Sequence, residues 1–145
     1  MKIKALLFLI CTSLLAGCAS GPKYTEVVDT FPTIASEEGR VYFYRSGNLI
    51  GSGIQPKVRL NGEVVGQSEP GGFFFVDRKP GDYEVLLSTE VDKKLTFQLH
   101  SGEEKYVKMS VGLGAIVYRV YPELVQQTEA LKGMQGLSFT GNPNP

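Results

Sequence analysis

Hydrolysis by a protein of this kind needs a nucleophile, a base and a carboxylate brought together, and this sequence offers few candidates. His100 is the only histidine in 145 residues. Ser101 follows it, but neighbours on an extended strand point to opposite faces, so the two do not meet. No G-x-S-x-G elbow presents a serine, and His100 reads as a solvated residue at a strand end. Glu37-Glu38 and Glu103-Glu104 are adjacent carboxylates. Acid–base pairs stand several ångströms apart across a cleft with one member desolvated, whereas sequence neighbours in a turn are splayed and hydrated. One histidine and two cysteines, Cys11 and Cys18, supply no compact zinc set, and no EF-hand spacing supports calcium. No catalytic residue, metal or cofactor is assigned. Lys+Arg 15 against Asp+Glu 15 leaves no basic excess for phosphates, which argues against a nucleic-acid partner.

The thiol of Cys18 is the exception. Lys2 and Lys4 precede an apolar run from Ala5 to Leu15, which as a helix spans about 16 Å, too short to cross a bilayer. Such a run reads as the core of a signal peptide. Leu15-Ala16-Gly17-Cys18 closes it and resembles the lipobox of bacterial lipoproteins. The resemblance implies cleavage between Gly17 and Cys18, a diacylglyceryl group on the Cys18 thiol and an acyl chain such as palmitate on its amino group. Two or three chains at about 0.8 kcal/mol per buried CH₂ would hold the protein on a membrane. Ala19 and Ser20 follow, where an aspartate would suggest inner-membrane retention, so the sorting resemblance implies the periplasmic face of the outer membrane. Without Lys2 and Lys4 the charge balance becomes 13 basic against 15 acidic. Cys11 would leave with the signal and Cys18 would carry lipid, so the exported domain has no disulfide and must rest on its core.

The elements behind these residues read as β-structure. Residues 1–17 are the signal, and residues 18–38, rich in Gly, Pro, Ser and Thr, read as a flexible tether with an average reach of about 25 Å. Residues 39–133 carry the domain. "RVYFYR" (40–45) is β-branched and aromatic on both faces, as in a strand covered on two sides. Asn61-Gly62 turns a hairpin in which Leu60 opposes Glu63 and Val58 opposes Val65. "GFFFVD" (72–77) and a strand after Pro80-Gly81 follow. Leu95, Phe97 and Leu99 alternate inward, as do Lys105, Val107, Met109 and Val111, and "AIVYRVY" (115–121) is the last strand. Pro122 then opens a short helix that Gly133 ends, with Leu124, Thr128 and Leu131 on its inner side. Residues 134–145 are a tail, disordered at "TGNPNP". The fold class is mainly β: a small antiparallel β-sandwich of about seven or eight strands with one short C-terminal helix.

The N-G hairpin, the aromatic strand, the P-G-x-Y turn and "SGEEKYVKMSV" resemble the prealbumin-like sandwiches of PEGA type over residues 39–121. With the lipobox and the "GRVYFYR" opening, the chain resembles the bacterial lipoproteins of domain of unknown function 2846. That resemblance implies fold and address, and it carries over no catalytic residues. Loop 46–56 and the C-terminal segment are the preferred contact surfaces, and a set of tyrosines is a further candidate. Loop 46–56 places Leu49, Ile50 and Ile54 among three glycines, either to dock on a partner or to tuck its isoleucines into the core's edge; it lacks the Lys-Ser/Thr ending of a phosphate loop. Tyr42, Tyr44, Tyr118 and Tyr121 form either a shelf for sugar rings or cross-strand packing pairs. The expected role is a non-enzymatic binding or accessory module of the envelope, with a protein partner, peptidoglycan or another glycan as target. An envelope hydrolase using His100, or a structural subunit of an envelope assembly, is the alternative.

Overall fold

The computed structural model, which describes residues 18–89, 91–114 and 116–141, is built around strand β1, Gly39–Tyr44. Residues 1–17, where a signal peptide is expected, and residues 142–145 lie outside the described residues. All of β1 is buried, as its two-sided apolar pattern predicts. Eight further strands follow: β2 (Lys57–Leu60), β3 (Glu63–Gln67), β4 (Gly72–Arg78), β5 (Gly81–Ser88), β6 (Asp92–Leu99), β7 (Glu104–Leu113), β8 (Tyr118–Val125) and β9 (Ser138–Phe139). They form a five-stranded sheet in the order β8-β7-β1-β4-β9 and a four-stranded sheet in the order β3-β2-β5-β6. Pairing is antiparallel except between β1 and β7 and between β4 and β9.

Alternation along β1 divides the core into two layers. Val41 and Phe43, with Phe74, Val107 and Met109 from β4 and β7, join one cluster with Val58, Leu60, Val85, Leu87 and Leu99 of the smaller sheet. Phe43 and Phe74 oppose each other across β1 and β4 and stack at 5.0 Å. Tyr42 and Tyr44 fall on the other face of the larger sheet, together with Phe73, Phe75 and Tyr106.

That second face is covered by chain read from sequence as tether and tail. Helix α1 (Tyr24–Val27) and a 3₁₀ turn (Val28–Thr30) lead into Phe31. Tyr24 meets Phe73 edge-on at 5.4 Å, and Phe31 meets Phe75 at 4.8 Å and Phe139 at 5.3 Å. In place of a flexible tether, Ala19, Pro22, Tyr24, Val27 and Phe31 are held along the fold. Tyr24, Val27 and Phe31 recur at helical spacing and bury one face, which the surrounding Gly, Pro and Ser hide in composition. Backbone bonds complete the seam, from Ala19 to Pro70 (3.1 Å), Phe139 to Pro22 (2.8 Å) and Tyr24 to Leu137 (2.9 Å).

The C-terminal elements also differ from expectation. Strand β8 starts at Tyr118 and continues through Pro122 to Val125. Pro122 is accommodated because β8 is an edge strand, where a missing N–H breaks no central ladder. Helix α2 spans Gln127–Met134, passes Gly133, and buries Ala130 and Met134; Leu124 stays on the strand, exposed. Leu137 and β9 then enter the core where a tail was expected. In the β2–β3 hairpin Asn61 (φ 49°) and Gly62 (φ 86°) form the predicted turn and Leu60 opposes Glu63. Val58, however, opposes Gly66, with a bulge after it. The Phe74 ring fills the space at Gly66, where a β-carbon would lie 2.5 Å from it, so only glycine fits; Val65 still packs on the core.

Arg40 fastens the cover to the sheet. Its Nε donates to Asp77 Oδ1 (2.6 Å), and its Nη2 donates to Asp77 Oδ2 (2.7 Å) and to the Pro32 carbonyl (2.8 Å). The guanidinium lies 4.1 Å over the Phe75 ring. Burial alone would lower its pKa, but the bonds to Asp77 hold it above the ordinary arginine value. Asp77→Ala strands this cation under the cover, and urea unfolding of the purified variant should show a loss of about 3 kcal/mol or more. A loss below about 1 kcal/mol would mean that water reaches Arg40 and that the clamp is weak.

Candidate functional site

The two ends of the sandwich have opposite characters. At the end where β7 begins and β8 finishes, an open cleft of about 610 Å³ is lined by Ile34, Glu103, Glu104, Lys105, Tyr106 and Gln127, among others. Strand β7 fixes its floor and the start of α2 fixes one wall. The Tyr106 hydroxyl donates to Glu104 Oε2 (2.6 Å), and Gln127 Nε2 donates to the same oxygen (3.3 Å) and to the Tyr106 hydroxyl (3.2 Å). Tyr106 stacks on Tyr42 with centroids 5.1 Å apart and planes 5° apart, which locks its ring. Burial, then the bond to Glu104, raises the Tyr106 phenol above the ordinary tyrosine value, so it stays a neutral donor.

Beside it, Glu103 gathers three donors. Its Oε2 accepts from the His100 amide (2.9 Å) and lies 3.0 Å from His100 Nδ1, while Lys105 Nζ is 2.6 Å from Oε1. Burial would raise this carboxyl, but the bonds from Lys105 and His100 outweigh it and bring the pKa to about 2. Ser101 donates to the Ser36 carbonyl at 2.6 Å, so the hydroxyl and the imidazole serve different partners. The cleft presents a carboxylate, an ammonium, a phenol and an amide side by side: a surface for hydrogen-bonding a polar ligand.

The sequence-selected residues are dispersed. Tyr42 is 5 % exposed and Tyr44 1 %, so the tyrosine shelf does not exist; they pack on the covered face, and only Tyr118 and part of Tyr121 reach solvent. In loop 46–56, Leu49 and Ile50 are exposed while Ile54 packs on the core. Cys18 is exposed with a free thiol. Among the described residues no group of three or more His, Cys, Asp or Glu could hold a metal, and no helix is long and apolar enough to cross a membrane.

Sequence reasoning missed Arg45. It is 1 % exposed and donates to the carbonyls of Ile54 (2.6 Å), Ser68 (2.9 Å) and Gly51 (2.7 Å), holding the loop against the sandwich. Burial pushes its pKa down. The available signal was an arginine ending an apolar strand just before a glycine-rich loop.

A family model described as protein of unknown function (DUF2846) matches residues 35–120. A relative from Haemophilus influenzae (strain ATCC 51907 / DSM 11121 / KW20 / Rd), described as an uncharacterized protein, is 25% identical over 131 residues, which cover 87% of this chain and 77% of that one. No solved structure matches.

Two outcomes follow from these contacts. A carboxylate whose folded-state pKa is depressed contributes fully above the ordinary value of 4.5, and the contribution fades as pH falls toward about 2. Glu103→Gln should therefore melt below the unsubstituted protein at neutral pH, with the gap closing through that window; thermal melts across pH would show a constant gap if the ion pairs contribute nothing. Arg45→Met frees three carbonyls, and hydrogen exchange should quicken in the amides of residues 46–56 before it does in β1.

Proposed function

Since this chain belongs to the family of proteins of unknown function DUF2846, we propose its role from its own residues: a lipid-anchored, non-enzymatic protein of the cell envelope that acts as a binding or accessory module. The observation that carries the proposal is Leu15-Ala16-Gly17-Cys18 at the end of a short apolar run after two lysines. The exposed, unbonded thiol of Cys18 supports it, since the lipid must reach that sulfur. The periplasmic face of the outer membrane is the proposed address, from Ala19 and Ser20. Likeness to the prealbumin-like sandwiches of PEGA type belongs to the same proposal and is supported by the Asn61-Gly62 turn and the two-sheet arrangement.

The cleft at Glu104, Lys105, Tyr106 and Gln127 is the binding surface we favour, for a protein partner or a glycan. A non-enzymatic role is supported by the engagement of Glu103, His100 and Ser101 in bonds that hold the turn before β7. Growth with an alkyne-bearing palmitate tests the anchor: the unsubstituted protein should take the label and lose residues 1–17, and Cys18→Ala should do neither. Labelling of Cys18→Ala at the same level would end the lipoprotein reading.

A further inference from the structure

Among the described residues, most of the large apolar side chains left in solvent gather at one end of the sandwich. Strands β1 and β7 run parallel, so the loop after Tyr44 and the hairpin after Leu113 open on the same side. The β7–β8 register closes that hairpin with Leu113 opposite Tyr118. The β2–β5 register, with Val58 opposite Leu87, brings the turn at Val91 to the same end. Leu49 (87 % exposed), Ile50, Val91, Leu113, Ile116 (90 % exposed) and Tyr118 all lie there; of the exposed large apolar residues among those described, Val64 and Leu124 lie elsewhere.

Cys18 emerges at this same end. Gly71 N–H bonds to the Arg45 carbonyl (3.1 Å), and Ala19 N–H bonds to the carbonyl of Pro70 next to it (3.1 Å). One extended residue spans about 3.6 Å, so the Cys18 sulfur has no slack with which to stand the domain away from whatever holds its lipid.

We infer that this end rests on the bilayer, with Leu49, Ile50, Leu113 and Ile116 entering the interface beside the acyl chains of Cys18 and Tyr118 at headgroup level. The inference rests on acylation of Cys18. A lipid surface is the occupant because an acylated Cys18 would carry its chains at this end, and because exposed apolar side chains on two loops beside those chains gain by entering the interface. Tyrosine, with an apolar ring and a polar tip, suits the boundary. The Glu104 cleft then faces away from the membrane.

The chain has no tryptophan, so single reporters can be placed in the full-length, lipidated protein. Ile116→Trp, Leu49→Trp and, at the opposite end, Leu124→Trp would be reconstituted into phosphatidylethanolamine–phosphatidylglycerol vesicles with or without brominated acyl chains. Tryptophan at 116 and at 49 should emit at shorter wavelength and lose intensity to the bromines, while tryptophan at 124 does neither. Leu113→Trp replaces either loop variant whose melt departs from that of the unsubstituted protein. If the unsubstituted protein fails to float with vesicles, the acylation reading has failed and the orientation falls with it. If it floats and tryptophans at 49 and 116 still emit as that at 124 does, the orientation alone is overturned and the apolar end is left for a protein partner.

Discussion

A central strand that is apolar on both faces needs two covers, and everything else in this fold answers that demand. The smaller sheet supplies one cover for β1 through Val58, Leu60, Val85 and Leu87. The other must come from the chain ends, because every remaining strand already belongs to a sheet. Leaving Phe73, Phe75, Tyr42 and Tyr106 in water would forgo about 1.5–3 kcal/mol for each large side chain. Phe31, Tyr24 and α2 are therefore structural, and Arg40 is tolerated under them because Asp77, Pro32 and the Phe75 face satisfy its donors and charge.

Covering that face has a mechanical consequence. The segment that composition describes as a spacer is used up as packing, and its first residues are hydrogen-bonded to Pro70 and Phe139. An anchored domain with a free spacer of that length would turn and drift over about 25 Å. Here Cys18, the proposed anchor, directly precedes a residue whose amide is bonded to the Pro70 carbonyl. The loop that follows β1 is fixed too, because Arg45 binds three of its neighbours' carbonyls from inside while its exposed Leu49 and Ile50 face out.

The parts legible in the sequence are those where one local rule suffices. Alternation in Leu95, Phe97 and Leu99 and the positive-φ pair Asn61-Gly62 predicted β6 and the first hairpin. The illegible parts depend on partners far along the chain. Pro122 reads as a helix start until its place on an edge strand is known, and Ser138-Phe139 reads as tail until Gly72-Phe73 is beside it. For Tyr42 and Tyr44 the sequence left a sugar shelf and packing pairs both open, because nothing local announces which chain supplies a third layer. The candidate cleft was harder still: Glu104, Tyr106 and Gln127 lie up to 23 residues apart and meet only through the β7–β8 pairing.

The same rigidity bears on what the proposed module can reach. Strand β7 runs from Glu104, at the cleft, to Leu113, at the apolar end, and ten residues of strand rise about 30 Å. With the apolar end on the bilayer and no spacer to extend, the cleft would sit at no more than about that height and always present the same face. A ligand spread through the periplasm gains nothing from such fixed placement. One held at a set distance from the membrane, such as a subunit of an envelope complex or an ordered glycan layer, gains through effective concentration. Such placement favours fixed, membrane-adjacent targets.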